Sequence, residues 1–372
     1  MPIFSFMNLY VHFPFCRSKC AYCALYSVVG RDEPFRNAYA QKLARAIEET
    51  DVKFKTVYFG GGTPAMCDLS PLFKTLKNRI DENTEWTIEL NPMDVNERLL
   101  YALKEGGVNR ISMGVQSLDD ATLASMARKH TSDDAIERFN LIRECGFKNV
   151  GIDLIVGWQT FGRGLEETIK KMKGLDINHC SVYSLIREKG TMLEKRIERG
   201  EITLPEDDKV LDDLLRMEEE LMSMGLHRYE ISNYAKPGME CKHNLAVWRG
   251  EDYWGIGAGA HGRIGRVRSV GDFENIVPVS LDGKVNNEKC CEILSGYEDN
   301  IERALFSMRT HEGFNIDDIA EKYPILKSRA DEWNEKCSFF VKEGLLYALS
   351  ENHYRLTRRG FEVCDAILSE LQ

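Results

Sequence analysis

The sequence lacks the features of secreted and membrane-spanning proteins. No stretch approaches the ~20 consecutive apolar residues that a transmembrane helix needs. The apolar start of the chain, MPIFSFMNLYVHFPFC, has no basic region and no small-residue cleavage site, and Pro14 interrupts it early. We therefore expect a first β-strand here instead of a signal peptide, and we predict a cytoplasmic protein with no integral membrane segment.

An excess of basic residues is also missing, since the 372 residues include 49 Lys and Arg against 59 Asp and Glu, a net charge of −10. Binding to nucleic acid needs a basic surface that neutralises phosphates. The charge balance therefore predicts no nucleic-acid partner. For the same reason we interpret the basic cluster of Arg355, Arg358 and Arg359 as a solvated face.

The cysteines do not form the even set of a disulfide framework. There are 11 of them, and eight are scattered without motif spacing, whereas secreted disulfide-rich domains are short and evenly paired. This pattern indicates a reducing compartment, where most of the eight would be small buried hydrophobic residues. The adjacent residues Cys290 and Cys291 are a weak candidate for binding a ligand.

Short β-rich runs alternate with amphipathic helical stretches in the first half of the chain. The runs are MNLYVHF at the start, then residues 55–60, 85–90, 108–116, 148–157 and 178–185. Alternating strands and helices predict right-handed βαβ units and a parallel sheet. We therefore predict the α/β class with a partial (β/α)6 barrel of the TIM type. Its functional site would lie on the loops that follow the strands.

The length of the chain predicts two domains, because single cores stop growing at ~250–300 residues. Residues 1–270 would form the barrel domain and an extension, which includes one long acidic helix over 206–224. Residues 271–298 read as an irregular linker. Residues 299–372 would form a small, mostly helical domain of winged-helix type, with a strand pair near LLYALSENHYRLT.

Three cysteines follow the first strand with the spacing C-x3-C-x2-C, namely Cys16, Cys20 and Cys23. Thiolates are ligands for zinc and for iron–sulfur clusters. A structural zinc site closes with four ligands, and the local sequence offers three. A [4Fe–4S] cluster takes one thiolate on each iron, so three cysteines leave one iron with an open coordination position. Such a position suits a bound, reactive substrate.

Glycines or polar residues stand at the ends of the following strands. The second strand runs into a glycine triplet, which lets backbone groups approach a ligand closely, although a tight turn explains it equally well. A single polar residue at a strand end is more often a satisfied core group. Several of them facing a cysteine triad are better explained by a bound polar cofactor. The strand-end residues are Gly60, Gly61, Gly62, Thr63, Glu89 and Gln116. Asp153 lies in the fifth strand, and Arg128 follows the helix after the fourth strand.

Four segments, YVHFPFCRSKCAYC, YFGGGTP, IELNP and GVQS, resemble the radical S-adenosylmethionine (SAM) superfamily. They are most similar to the branch that contains oxygen-independent coproporphyrinogen III dehydrogenase and the heme chaperones of the HemW type. The resemblance covers nearly the whole chain, including HNLAVW, DYWGIGAGAHG and the tail. It implies a [4Fe–4S] cluster on the cysteine triad, with SAM chelated by the open iron.

The resemblance also implies roles for the residues that match the family's motifs. Tyr10, Gly61 and Glu89 would contact the cluster-bound SAM. No catalytic residue is assigned. A further set matches positions that hold a second SAM in the dehydrogenase, namely Tyr22, Gly62, Thr63, Gln116, Arg128 and Asp153.

Within this branch, three features favour the chaperone type over the dehydrogenase. Leu25 stands where the dehydrogenase has an extra cysteine, and the chain begins almost on the first strand instead of with a long extension. HNLAVW, residues 243–248, resembles the HNxxYW motif of heme chaperones, with Val247 in place of Tyr. The resemblance implies heme ligation by His243. Without the family match, a core His beside a core Trp is the favoured interpretation.

The sequence therefore predicts a heme chaperone that binds heme and passes it to an acceptor protein, with an electron donor for the cluster. Any contact with a membrane would come through an acceptor. The alternative is a true coproporphyrinogen III dehydrogenase acting on a porphyrinogen. A third hypothesis, an iron–sulfur scaffold without SAM chemistry, is disfavoured by Glu89 and the glycines. The shortened turn Gly157-Trp158-Gln159-Thr160 lacks the family's Pro and predicts an altered cofactor loop.

Overall fold

The computed structural model describes residues 6–158 and 164–372 of the chain. Its centre is a sheet of six parallel strands, each paired with the next in chain order. The predicted α/β class and the (β/α)6 arrangement are confirmed. The strands are β1 (Phe6–Phe13), β2 (Lys53–Gly61), β3 (Glu85–Leu90), β4 (Arg110–Gln116), β5 (Asn149–Val156) and β6 (His179–Ser184).

Alternation along the strands gives this sheet one apolar and one polar face. Every second residue, such as Leu9, Val11 and Phe13 in β1, is completely buried in the main core. The residues between them lie on the concave side, and the strand register aligns them from β1 to β6. Most of them are polar, so the concave side can hold a polar ligand. They include Asn8, Tyr10, His12, Thr56, Tyr58, Glu85, Thr87, Glu89, Arg110, Ser112, Asp153, His179 and Ser181.

Helices connect the strands and cover the apolar face. They are α1 (Glu33–Glu48), α2 (Ser70–Leu76), α3 (Glu97–Gly106), α4 (Asp120–Ser125), α5 (Ser132–Glu144) and α6 (Gly164–Met172). Asp32 caps α1 by accepting a hydrogen bond from the Phe35 N–H, and a reciprocal capping box of Thr131 and Asp134 begins α5. These caps satisfy backbone N–H groups that have no partner within the helix.

Six short strands extend the sheet at both edges, and the sequence pattern does not predict them. At one edge, β9 (Tyr253–Ile256) pairs in parallel with β1, and β10 (His261–Ile264), β11 (Val267–Val270) and β12 (Cys291–Ile293) continue antiparallel. At the other edge, β7 (His227–Arg228) pairs with β8 (Asn233–Ala235), which pairs with β6. Within the described ranges the two outermost strands do not pair with each other, so the sheet is not closed.

Three helices lie between β6 and β9, and the last of them closes one end of the barrel. They are α7 (Met192–Glu198), α8 (Asp207–Ser223) and α9 (Lys242–Trp248). α8 corresponds to the predicted acidic helix and buries Met217 and Leu221. α9 lies at the amino ends of the parallel strands, where the His243 N–H donates to Glu85, the first residue of β3. The functional loops therefore occupy the opposite end.

The C-terminal part has its own buried core. Phe314 and Trp333 pack edge-to-face at its centre, with ring centroids 5.3 Å apart. A small antiparallel sheet among helices agrees with the predicted winged-helix-like unit. The elements are α10 (Gly296–Phe306), β13 (Phe314–Asn315), α11 (Ile316–Lys322), α12 (Ala330–Lys342), β14 (Leu346–Ser350), β15 (His353–Leu356), α13 (Arg358–Glu362) and α14 (Cys364–Leu371). Among the described residues, no helix is both long and apolar enough to cross a bilayer.

Buried ion pairs attach the C-terminal unit to the barrel. Arg263 of β10 donates to Asp299 of α10 at 2.7 Å. Arg303 of α10 donates to the same carboxylate and to Asp252, which precedes β9, at 2.7 Å. Each of these charges has an opposite partner, as buried ions require. The network therefore fixes α10 against the edge of the large sheet.

Residues 271–298, which the sequence predicts to be a linker, pack against the barrel. Ile276, Val279 and Leu281 are buried in the main core, and β12 belongs to the large sheet. Arg358, one of the three basic residues near the C-terminus, pairs with Glu218 of α8. The domain boundaries at residues 270 and 298 stay a prediction.

Candidate functional site

The loop that follows β1 carries the three cysteines of CRSKCAYC at the carboxyl ends of the strands. Two backbone hydrogen bonds hold this loop, from the Cys16 N–H to the Val28 carbonyl (3.1 Å) and from the Val28 N–H to the Pro14 carbonyl (2.7 Å). Cys16, Cys20 and Cys23 are free, half-buried thiols. The loop thus presents three thiols at the mouth of the barrel.

The chemistry of these three thiols fits the ligand set of a [4Fe–4S] cluster. Within residues 6–158 and 164–372, no three His, Cys, Asp or Glu side chains converge as one ion would require. All ligands of a zinc ion meet at one atom, whereas the thiolates of a [4Fe–4S] cluster bind different irons. Burial raises the pKa of the thiols of Cys16 and Cys23. They therefore remain protonated until a metal displaces the protons.

Arg128 connects the cysteine loop to two neighbouring strand ends. Its Nη1 donates to Cys20 Sγ (3.4 Å), and its Nη2 donates to Asn91 Oδ1 (3.1 Å) and to the Gly114 carbonyl. Asn91 in turn donates to the Thr63 hydroxyl (2.8 Å). The Nε of Arg128 is buried and has no hydrogen-bond partner in the part of the chain that the structure describes. Since a buried unpaired N–H is costly, it marks a place for an acceptor group of a ligand beside the thiols.

Glu89 lies inside the mouth near the end of β3. Its carboxylate accepts hydrogen bonds from the Tyr58 hydroxyl (2.9 Å) and from the Gly61 N–H (3.0 Å). Burial raises the pKa of Glu89 to about 7, and the negative charge of Asp153 adds to this increase, whereas the two hydrogen bonds oppose it. The site thus contains a carboxyl group that changes charge near neutral pH and can pair with an amine.

Asp153 and Gln116 lie on the neighbouring strands β5 and β4. The Ser112 hydroxyl donates to Asp153 (2.9 Å), and burial raises the pKa of this aspartate. Gln116 has a φ of 68°, a left-handed conformation that few residues other than glycine adopt. The register of β4 against β5 shifts at the same point. Strain of this kind is concentrated at functional sites, where the surroundings hold it in place.

Backbone packing accounts for the glycine triplet at the end of β2. A Cβ on Gly61, which has a φ of 105°, would lie 2.6 Å from the His12 ring. A Cβ on Gly62 would lie 2.6 Å from the carbonyl oxygen of Phe15. Real Cβ atoms do not approach so closely, so both positions require glycine. These contacts are with the protein's own atoms, so the close approach to a ligand stays a prediction.

Tyr10 lies on the concave side of β1, where it pairs with Tyr58 of β2, two residues before the strand position that pairs with Gly60. Its hydroxyl lies 3.0 Å from His12 Nδ1, and His12 Nε2 lies 2.9 Å from the Tyr26 carbonyl. The three groups form a chain that fixes the imidazole ring. Burial raises the pKa of the Tyr10 hydroxyl, so it remains protonated and able to donate a hydrogen bond.

Tyr22, within the cysteine motif, faces the end of β5. Its ring packs edge-on against Trp158, with ring centroids 6.2 Å apart, and burial raises the pKa of its hydroxyl. The Trp158 Nε1 donates to the Ser125 hydroxyl (3.0 Å). The turn that the sequence singles out therefore begins beside the cysteine loop. Its last residues, Gln159 and Thr160, lie outside the described residues.

His243 lies at the opposite end of the barrel. Its Nδ1 is 2.8 Å from the Thr56 hydroxyl, and 5% of its surface is exposed. Burial lowers the pKa of this imidazole to about 3, and the positive charge of Arg110 adds to the decrease. Thr56 precedes Gly60 by four residues on β2. The Thr56–His243 contact is therefore roughly 13 Å along the strand from the glycine end of β2. The structure does not bring His243 together with the cysteines.

Three residues at the site are not among the predicted contacts. Asn91, which lies within the IELNP segment, links Arg128 to the glycine end of β2. Tyr58 and Ser112 hold the two carboxylates and lie at concave positions of β2 and β4. The period of two along each strand could have found both of them, because their neighbours are buried and apolar. The predicted residues that the structure gathers around the mouth are Tyr10, Cys16, Cys20, Tyr22, Cys23, Gly61, Gly62, Thr63, Glu89, Gln116, Arg128 and Asp153.

Comparison with known proteins identifies relatives over the whole length of the chain. Residues 10–182 match the family model of the Radical SAM superfamily. The chain is 34% identical to the heme chaperone HemW of Bacillus subtilis, over 98% of this chain and 100% of that protein. It is 31% identical to the heme chaperone HemW of Lactococcus lactis, over 96% and 94%. For the heme chaperone HemW of Escherichia coli the identity is 34%, over 69% and 70%.

The fold also has a counterpart among solved structures. Coproporphyrinogen III oxidase (HemN) from Escherichia coli, a radical SAM enzyme, matches with a TM-score of 0.80 and 22% sequence identity. The match covers 100% of this chain and 91% of that chain. At this level of identity the similarity concerns the fold, and it extends over both the parallel sheet and the C-terminal unit.

Proposed function

Because the chain belongs to the HemW family of heme chaperones, within the radical SAM superfamily, we propose that it binds heme and delivers it to an acceptor protein. The observation that carries this proposal is the similarity to the Bacillus subtilis chaperone, which extends over 98% of this chain and all of the relative. The heme acceptor and the electron donor are partners that this function requires. All eleven cysteines are free, which suits the reducing cytoplasm in which we place the protein.

The cysteine triad is the proposed site of a [4Fe–4S] cluster. When bound, such a cluster supplies an electron and an open iron to which SAM can bind. Cys16, Cys20 and Cys23 would each ligate one iron. Arg128 would place a positive charge against the thiolate of Cys20 and reduce the negative charge that the barrel mouth has to accommodate.

Tyr10, Gly61 and Glu89 are the proposed contacts of the SAM on the open iron. An ionised Glu89 pairs with an amine, and its hydrogen bonds to Tyr58 and to the Gly61 N–H fix the orientation of the carboxylate. The Tyr10 hydroxyl stays protonated and lies next to His12. These residues would orient the ligand without taking part in bond cleavage.

The remaining predicted contacts are proposed as walls of the same SAM site. Gly62 packs closely against the Phe15 carbonyl, and the Thr63 hydroxyl accepts a hydrogen bond from Asn91. Both residues would therefore shape the wall of the site. Arg128 has an unpaired Nε for an acceptor group. Three further side chains would complete the walls, namely Tyr22, Gln116 and Asp153.

The cysteine loop favours a chaperone over a porphyrinogen dehydrogenase. Leu25, where the dehydrogenase has its extra cysteine, is 54% exposed. The loop therefore carries an apolar side chain where that enzyme has a further thiol. Heme ligation by His243 stays a prediction. In the structure this ring is buried at the amino end of the barrel strands, beside the Thr56 hydroxyl.

The test begins with anaerobic reconstitution of the cluster in the full chain. Heme is then added and followed by its Soret absorbance, and coproporphyrinogen with SAM is assayed in parallel. We expect a shifted Soret band and no consumption of the porphyrinogen. Cys20→Ser should lose cluster absorbance, whereas Cys145→Ser, a buried cysteine outside the motif, should retain it. Turnover of the porphyrinogen, or no heme binding by the wild-type chain, would contradict the proposal.

A further inference from the structure

A groove of about 480 Å³ lies on the open side of the barrel, where the large sheet continues past β1. We call it the β9–β12 groove. Its volume is within the ~300–1,000 Å³ typical of small-molecule sites. It lies beyond the SAM contacts proposed above, and no role has been assigned to it so far. Its lining includes Val247, Tyr253, His261, Arg268, Lys289 and Phe306.

Strand pairing shows that the groove follows the concave face of the sheet. Tyr253 pairs with Asn8 of β1, whose side chain is on the concave side, and Arg263 pairs with Tyr253. Arg268 and then Glu292 continue this line across β11 and β12. Because neighbouring strands are ~4.8 Å apart, the four strands offer a surface roughly 14 Å wide. A surface of this shape suits a flat macrocycle lying on the sheet.

His261 occupies the end of the groove that is nearest to the cysteine loop. It follows the carboxyl end of β9, its side chain is exposed, and it pairs across the strands with Val270. Its proximity to His12 contributes to the lowered pKa of that buried histidine, after burial itself. Among the described residues, no hydrogen bond or ion pair engages the His261 imidazole. A free, exposed imidazole in a groove is available to ligate a metal.

The groove also contains a cation that is free to bind a carboxylate. Lys289 is exposed, and in the described parts of the chain no acidic side chain pairs with it. Arg268, by contrast, already donates to Glu292 (3.2 Å) and to Glu302. Lys289 is therefore the better candidate for an acidic group of a ligand, while Arg268 stays within its own ion pairs.

Apolar side chains form the remaining walls. Val247 of α9 and Phe306 of α10 are among the residues that line the groove. The Tyr253 ring stands between the groove and His243, which it contacts edge-on with ring centroids 6.5 Å apart. The groove is thus one ring away from the HNLAVW segment, yet it is accessible without any movement of α9.

We propose that the β9–β12 groove is the heme site of this chain, with His261 as the iron ligand and Lys289 as the partner of a heme propionate. The inference rests on the proposed heme function and names the site at which that function takes place. It assigns the iron to His261 in place of His243. His261 is exposed as the structure stands, whereas His243 is enclosed.

Cys290 is the competing iron ligand in the groove. Its Sγ lies 3.4 Å from Asp272 Oδ2, and burial together with this carboxylate raises the pKa of the thiol. A protonated thiol is a poor ligand, because iron binds the thiolate. The Cys290 thiol is already engaged by Asp272, whereas the His261 imidazole is exposed and has no partner among the described residues, and for this reason we choose His261.

Two ligands separate the role of the iron from the role of the propionates. The anaerobically reconstituted full chain is titrated with heme, followed by Soret absorbance, and with iron-free protoporphyrin, followed by fluorescence. His261→Ala should weaken heme binding about tenfold or more, which corresponds to ~1.4 kcal/mol, and leave protoporphyrin binding unchanged. Lys289→Gln should weaken both about two- to fivefold, as expected for a partly exposed ion pair.

Matched variants control for general effects on the surface. His227→Ala removes another exposed histidine, and Lys284→Gln removes an exposed lysine that does not line the groove, so both should bind like the wild type. Retained protoporphyrin binding shows that the His261→Ala variant is folded. Wild-type heme affinity in His261→Ala, or loss of heme binding in His243→Ala or Cys290→Ser instead, would overturn the assignment while leaving the chaperone function intact. If the wild-type chain binds no heme, the proposed function fails as well.

Discussion

Replacement of Glu89 by glutamine should remove a pH dependence from the stability of the cofactor-free protein. Burial raises the pKa of this carboxyl from its ordinary value of 4.5 to about 7. A carboxyl with a raised pKa holds its proton more tightly in the folded state. Its contribution to stability is therefore present below about pH 4.5 and is lost as the pH rises to about 7. At ~1.36 kcal/mol per pKa unit, the difference corresponds to about 3 kcal/mol. Because Glu89 is only half-buried, screening by solvent reduces this figure, and we expect about 2 kcal/mol.

The assay is urea unfolding followed by far-UV circular dichroism, at several values between about pH 5 and about pH 8, where the linkage acts. The amide of the Glu89→Gln variant can still accept the hydrogen bond from the Gly61 N–H and can donate to the Tyr58 hydroxyl, so the offset at low pH should be small. The free energy of unfolding of Glu89→Gln, relative to wild type, should increase by about 2 kcal/mol across this range. Glu82→Gln, at an exposed position, serves as the control.

If Glu89→Gln and wild type lose stability in parallel from low to high pH, the carboxyl has an ordinary pKa in the folded state. Glu89 would then be solvated like a free carboxyl, and it would carry its negative charge throughout the neutral range.

Three further predictions concern the glycine end of β2, the domain contact and the cluster. Gly61→Ala should destabilise the chain by about 1–3 kcal/mol, measured by thermal melting. Gly200→Ala, at a position that is also left-handed but has open space around it, should cost less. Equal losses of stability would contradict a clash between the new Cβ at position 61 and the His12 ring. Asp299→Ala should cost about 1–3 kcal/mol, because Arg263 and Arg303 lose a shared buried carboxylate, although they keep Glu302 and Asp252 as ionic partners. Proteolysis between residues 270 and 300 should become faster, and an unchanged digestion rate would argue against this contact. Arg128→Gln should lower the midpoint potential of the cluster in a redox titration monitored by EPR, because the positive charge beside Cys20 is lost. An unchanged potential would contradict an effect of the Arg128 charge on the cluster.

The parallel core could be predicted from the sequence because its strands are long enough to show a pattern. The run at 85–90 coincides with β3, and the run at 178–185 contains β6. The edge strands β7 to β12 have only two to four residues each. So few residues cannot show a period of two, and their pairing partners are distant in the chain. Their existence depends on tertiary contacts with β1 and β6.

The site around the cysteine loop could be predicted because short motifs place its residues at strand ends, and parallel strands bring those ends together. The position of His243 could not be predicted in the same way. HNLAVW contains no information about where α9 packs, and its contact with Thr56 spans 187 positions of the chain. The β9–β12 groove could not be predicted for the same reason, since Val247, His261 and Lys289 come from three separate segments.

A transfer measurement shows whether this radical SAM protein carries heme. The reconstituted full chain is loaded with heme, separated from free heme and mixed with an apo-hemoprotein, while Soret spectra of both proteins are recorded and coproporphyrinogen is offered in parallel. We expect heme to leave this chain and to appear in the acceptor. The porphyrinogen should not be consumed. A chain that retains no heme through the separation, or that consumes coproporphyrinogen with SAM, would contradict it.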